Sequence, residues 1–279
     1  MDYPHKRSLV FSILITLLLA AVITASGEFV PLFPQTGHQL LQSGRVTVDI
    51  TNVESGYLMV KHSGTENRLK VAISHLLGQN RYDQIGDGQY QTYPLSYGSG
   101  VYGIAVYEQA PEGKQNGNYK KIFGEFITVN MPDETMCFLY PNQYVWYTDY
   151  SVAKTLSDQL CVGLTSDIEK VEKVFSFING QIRYDYVKAL TIQTNYIPDA
   201  DQTLRDETGI CFDFASLFAC MLRVQGVPTQ VAIGKLLISD PPLAHAWNKV
   251  KIGDKWLMID PTFGNDRYTP AQYLEQHLY

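Results

Sequence analysis

Gly209-Ile210-Cys211-Phe212-Asp213-Phe214-Ala215 opens an apolar run that continues through Leu217, Phe218, Leu222 and Val224 and stops at Gly226-Val227-Pro228. The run has the make-up of a mostly buried helix of about 14 residues, a usual length in globular proteins. The glycine and proline end it. Cys211 falls in the first turn, where unpaired N–H groups and the positive end of the helix dipole favour a thiolate. Gly209 predicts a tight turn into the helix. Taken alone, a cysteine in an apolar helix is a core residue. Cys220 is read that way, because about 100° per residue carries it to the side opposite Cys211.

Two later elements change the reading of Cys211. Ala244 to Val250 reads as one strand and Trp256 to Asp260 as the next, with Gly253-Asp254 between them as a turn. A turn centred on that pair sets Trp247 across from Asp260 and His245 diagonally opposite Asp260 on the same face, within reach of longer side chains. An odd-length turn would shift the register and break the geometry. His245 alone could be a satisfied core histidine, and Asp260 alone a cap before Pro261. Together with Cys211 they are better explained as a site, a thiol with a base and an orienting carboxylate.

Residues from about 165 to 270 resemble the transglutaminase-like superfamily, which is related in architecture to papain-type cysteine proteases. The cysteine motif is carried by Gly209, Cys211, Asp213 and Ala215 and runs on into Leu222-Arg223-Val224-Gln225-Gly226-Val227-Pro228. His245-Ala246-Trp247 and Trp256-Leu257-Met258-Ile259-Asp260-Pro261-Thr262 carry the other two motifs, in the family's order. The resemblance implies Cys211 as nucleophile, His245 as base and Asp260 as the acid that orients it. The attacked carbonyl would become a thioester, with the Cys211 N–H as one oxyanion donor and Gln181 or Tyr184 as candidates for a second. Trp247 would wall the cleft, and Asp213 would bind backbone near the helix start or shape the groove. Water as acceptor gives a peptidase, amidase or deamidase; an amine gives a crosslinking transglutaminase. The reading favours hydrolysis of a peptide, protein or cell-wall-associated substrate. The alternatives are the crosslinking enzyme and a non-catalytic cell-surface binding or assembly module. No cofactor or metal is implied, and no charged cluster suggests calcium activation.

The rest of the chain divides by period. Val46, Val48 and Ile50, and again Leu69, Val71 and Ile73, alternate with polar neighbours, and Val101 to Tyr107 and Ile122 to Val129 add β-branched and aromatic runs. Glycine-bearing turns at Gly86-Asp87-Gly88 and Gly113 to Gly117 separate such runs, which predicts an antiparallel sandwich or small barrel. This region resembles the accessory domains of secreted bacterial members of the superfamily. Pro132 to Tyr150 loses its period and reads as a junction running over a surface. Ser166 and Glu169 then form a capping box, with Ile168, Val171, Val174, Phe175 and Ile178 on one helical face. The expected fold class is α+β: a sandwich-like accessory domain over 36–135, a junction over 136–164, and a catalytic domain over 165–279 whose nucleophile helix packs on an antiparallel sheet.

At the start, His5, Lys6 and Arg7 precede an uncharged run from Ser8 to Gly27. Its apolar core is Leu9 to Ile23, with Thr24, Ala25 and Ser26 as small cleavage-site residues. Residues 1–26 read as a signal peptide or a membrane anchor, attachment then running through residues 8–27. Either places the remaining chain outside the cytoplasmic membrane, secreted or at the cell surface. There Cys137 and Cys161 are either a disulfide or two free buried thiols. The 279 residues carry a net charge of -6 without a basic block, which argues against a nucleic-acid partner. Nineteen tyrosines against twelve phenylalanines predict many rings facing the surface.

Overall fold

Alternation in the first half of the chain produces two four-stranded antiparallel sheets. In the computed structural model, which describes residues 37–64, 67–84, 88–110, 118–193, 195–264 and 269–279, the first sheet holds β1 (Leu40–Ser43), β2 (Val46–Asp49), β3 (Tyr57–His62) and β6 (Gln91–Pro94). The second has the order β5 (Gly78–Gln84), β4 (Leu69–His75), β7 (Gly100–Gln109) and β8 (Tyr119–Val129). Val46, Val48, Leu58 and Val60 from the first meet Val71, Ile73, Tyr102, Ile104 and Val106 from the second in a common core. Period two with one buried face is what such a sandwich requires. The apolar N-terminal run and the turns at 86–87 and 113–117 lie outside the described residues.

The remaining elements are helical first. A helix α1 (Val152–Leu160) precedes α2 (Asp167–Gln181), whose first turn carries the expected box: the Glu169 N–H donates to Ser166 Oγ and the Ser166 N–H to Glu169 Oε2, both at 3.3 Å. Val171, Val174 and Ile178 are buried, whereas Ile168 is exposed. After α2 come β9 (Arg183–Tyr184), α3 (Tyr186–Thr191), α4 (Ala200–Asp206), β10 (Thr208–Gly209) and α5 (Cys211–Arg223). The last sheet then forms in the order β13 (Lys255–Ile259), β12 (Leu243–Ile252), β11 (Thr229–Leu236), β14 (Tyr273–Leu278), all antiparallel.

Helix α5 is the hub. From Asp213 to Arg223 every residue is buried, so an all-round apolar sequence has found neighbours on all sides. Asn248 Nδ2 of β12 donates to Ala215 O at 2.9 Å, Ser157 Oγ of α1 to Met221 O at 2.6 Å, and the Phe175 ring of α2 meets Phe218 edge-on. The guanidinium of Arg223 is fully buried and donates to three carbonyls, those of Thr229, Tyr140 and Tyr279. A buried cation is tolerable only when its donors are used in this way.

Two expectations change. The segment 132–150, expected on the surface, instead buries Cys137, Phe138, Val145 and Tyr147, because Tyr147 can place its ring inside while its hydroxyl donates to Leu139 O. The tyrosines behave similarly elsewhere: Tyr57, Tyr82, Tyr93, Tyr102 and Tyr279 are buried too, several stacked edge to face around Tyr82 and Tyr144. Cys137 and Cys161 are both free and buried, the second of the two alternatives, and burial pushes the Cys137 thiol up to about 12. Among the described residues no helix is long and apolar enough to cross a membrane.

Candidate active site

The start of α5 is fixed by Asp213. Its Oδ2 accepts the Ile210 N–H at 2.9 Å, satisfying a donor that the first helical turn cannot. Gly209 is needed for a reason other than the expected tight turn. A Cβ on it would stand 2.7 Å from Asp213 Cβ, so the close approach itself excludes a side chain. Gly209 pairs in parallel with Tyr184, which brings the short strand β9 beside the helix start. Asp213 also receives the Lys188 ammonium at 2.7 Å and the Tyr196 hydroxyl, so α3 and the chain after it are tied to the same carboxylate. Burial opposes the Lys188 charge, but its bonds to Asp213 and Tyr196 outweigh that and raise its pKa.

The sheet supplies the other two groups. Ile252 pairs with Lys255 and Asn248 with Ile259, so the hairpin turns on Gly253-Asp254, and Gly253 takes a φ of 55°. That register lines Trp247 up with Asp260 and leaves His245 diagonal to it, as the spacing predicts. His245 Nε2 lies 2.7 Å from Asp260 Oδ2, with both side chains almost fully buried. A carboxylate only accepts, so Nε2 carries the proton. The other ring nitrogen is left for Cys211, whose side chain lies close enough to raise the imidazole. Burial alone would lower the imidazole; the bonds with Asp260 and then Cys211 outweigh it and raise it from 6.5 to about 9.

Cys211, half-buried, thus meets His245, and His245 meets Asp260. Tyr184 joins them: it hydrogen-bonds Cys211, and burial and then that neighbour push its phenol up to about 12, which leaves it a donor. Trp247 is buried and nearly parallel to the imidazole, at 6.2 Å between centroids and 19° between planes. Gln181 closes α2 three positions before Tyr184 and is outside the hydrogen-bonded set among the described residues. Trp256 packs edge-on against Phe138 in the hairpin, away from these groups.

Two further neighbours of the site went unread in the sequence. Phe263 lies 5.1 Å from the His245 ring and is stacked on it at 22°, and its N–H and that of Thr262 donate to Asp260 Oδ1 at 3.3 and 2.9 Å. An Asp-Pro-Thr stretch is a turn in which the aspartate accepts from the N–H two residues on, and that signal was available. Tyr273 donates to Asp260 Oδ2 at 2.8 Å from a different strand, and no local pattern announces it.

Residues 154–261 match the family model described as the transglutaminase-like superfamily. No curated protein matches the chain. Among solved structures, a candidate cysteine protease from Cytophaga hutchinsonii is similar at 16% identity and a TM-score of 0.44, over 85% of this chain and 78% of that one. The periplasmic domain of TgpA from Pseudomonas aeruginosa is similar at 13% identity and 0.36, over 84% and 76%. Red sea bream transglutaminase is similar at 14% identity and 0.29, over 76% of this chain and 48% of that one. All three likenesses are distant, and no activity or substrate carries over from them. From α1 to the turn that holds Asp260, the chain is similar to the transglutaminase-like superfamily.

Proposed function

We propose that the protein is an extracytoplasmic cysteine enzyme that opens amide bonds in a peptide, protein or cell-wall-associated substrate through a thioester, and that water is the final acceptor. The observation that carries this reading is the continuous bonded series from Cys211 through His245 to Asp260, at a helix start that is half open to solvent. The extracytoplasmic placement rests on the basic and then apolar N-terminal sequence.

The chemistry follows from the charges. With its pKa raised to about 9, His245 is protonated at neutral pH and can hold the proton taken from Cys211 as an imidazolium beside a thiolate. The thiolate attacks the carbonyl carbon, and the electron pair of the C=O bond moves to oxygen. In this reading the Cys211 N–H at the start of α5 and the Tyr184 hydroxyl are the donors for that oxyanion. Collapse breaks the C–N bond, the His245 proton goes to the leaving amine, and a thioester remains. His245, now neutral, takes a proton from water. The resulting hydroxide adds to the thioester carbon, the C–S bond breaks with its electron pair on sulfur, and the acid leaves as a carboxylate after its proton passes to Cys211. Asp260 holds the ring by Nε2 in both halves, and Trp247 and Phe263 cover its faces against water.

Product analysis of a peptide library, with and without an added primary amine, tests the reading. Carboxylate or glutamate products unaffected by the amine support hydrolysis. Amine-containing adducts would instead make the protein a crosslinking enzyme. No turnover together with an unreactive Cys211 would favour a binding module.

A further inference from the structure

Tyr273 opens β14, beyond the segment that matches the superfamily, yet its hydroxyl reaches the carboxylate of Asp260. It donates to Oδ2 at 2.8 Å, the oxygen that also holds His245 Nε2 at 2.7 Å. Two donors on one oxygen share its charge, so each weakens what the other receives. The other oxygen, Oδ1, is occupied by the N–H groups of Thr262 and Phe263, so the carboxylate is held from both ends. The Tyr273 ring is itself fixed, meeting Trp247 at 5.1 Å and 64°.

The strand comes this close because of Gly234. That residue pairs with His245 across β11 and β12, and a Cβ on it would fall 2.0 Å from Leu274 O and 3.0 Å from Trp247 Cη2. Among the described residues, few groups face the imidazole. Asp260 comes from the turn after β13, Cys211 from α5 and Tyr273 from β14, whereas β11 offers only a glycine. Trp247 and Phe263 add apolar rings.

We propose that Tyr273 is a positioning residue of the site, whose hydroxyl locks the Asp260 carboxylate in the plane that meets His245 and limits the charge it lends to the ring. This rests on the cysteine-enzyme reading for its purpose, but the link itself can be read without substrate. In Tyr273→Phe, Oδ2 loses one donor and more of its charge falls on His245. In a chain carrying 3-fluorotyrosine at position 273, a more acidic phenol donates more strongly and takes charge away.

The test is the titration of His245 by NMR in the full chain labelled with nitrogen-15 histidine, its resonance identified by its loss in His245→Gln. Tyr273→Phe is expected to move the midpoint upward by about half to one pH unit, and 3-fluorotyrosine to move it down. A side chain that merely fills space would not give opposite shifts. Midpoints unmoved in both chains overturn the proposal. If Tyr273→Phe fails to fold, the nearly isosteric fluorinated chain decides alone. Iodoacetamide labelling of the same samples separates the two claims. A reactive Cys211 with an unmoved His245 midpoint removes Tyr273 and leaves the enzyme reading intact. An inert Cys211 with opposite midpoint shifts removes the enzyme reading and upholds the Tyr273 link.

Discussion

One helix carries two cysteines in opposite circumstances. Cys211 sits at its tip, half-buried, bonded to a histidine and a tyrosine. Cys220 sits in its middle, fully buried, where burial pushes the thiol far above its ordinary range. Both share an apolar surrounding sequence, and neither chemistry follows from that sequence by itself. The difference lies in what reaches each thiol: at the helix start, β12 brings an imidazole to Cys211. A thiol is made nucleophilic by the partners delivered to it, and the middle of α5 admits only packing partners.

The sharpest way to break this contrast is to exchange the sulfur atoms for oxygen. Cys211→Ser should abolish amide opening and leave the thermal midpoint nearly unchanged, because a hydroxyl at a half-open site keeps its water. Cys220→Ser should keep the chemistry and cost about 1–3 kcal/mol in denaturant unfolding, the usual penalty for a buried hydroxyl without a partner. Reversed outcomes would mean that the two ends of the helix have been assigned the wrong way round.

Asp260→Asn comes next. An amide keeps the shape but no longer anchors the imidazolium, so turnover should fall by roughly a thousandfold or more and the stability lent by the protonated ring should fall with it. Unchanged turnover would remove Asp260 from the tip's machinery. A smaller effect is expected from Gly234→Ala, where the clash with Leu274 O must be relieved by moving β14. A loss of about 1–3 kcal/mol should then accompany slower Cys211 alkylation.

The His245 pKa adds a pH window to the contrast. Because it is raised above 6.5, the protonated ring contributes stability that is complete below pH 6.5 and lost as pH rises through about 9. Amine expulsion, which needs that proton, should slow over the same upper range, and a His245→Gln chain should show neither limb. The smallest effect belongs to the capping box far from the tip. Ser166→Ala should cost about 1 kcal/mol and leave Cys211 reactivity untouched.

How much of this could be read beforehand depended on distance along the chain. The His245–Asp260 pair was legible because a two-residue turn fixes register, and the observed pairs from Asn248 to Ile252 keep it. The capping box at Ser166 and the extent of α5 were local patterns too. The sandwich followed from period-two runs. What stayed hidden was set by side chains from distant segments. Asp213 was read as binding backbone near the helix start or shaping the groove, and its Oδ2 accepts the Ile210 N–H. Its partners Lys188 and Tyr196, however, come from α3 and the chain after it. Tyr273 reaches Asp260 only because Gly234 lets β14 approach, and the glycine lies 39 positions earlier. The surface assigned to 132–150 failed because irregular composition says nothing about burial once tyrosines and carbonyls satisfy one another.

The central claim is that Cys211 is activated by its partners. The direct measurement is the rate of iodoacetamide labelling at Cys211 and at Cys220 in the native, reduced protein at neutral pH, followed by peptide mass spectrometry in wild type and in His245→Ala. The account predicts labelling of Cys211 at least about a hundredfold faster than Cys220, with most of Cys211's advantage gone in His245→Ala. Equal rates at the two thiols, or a Cys211 preference that survives without His245, would contradict it.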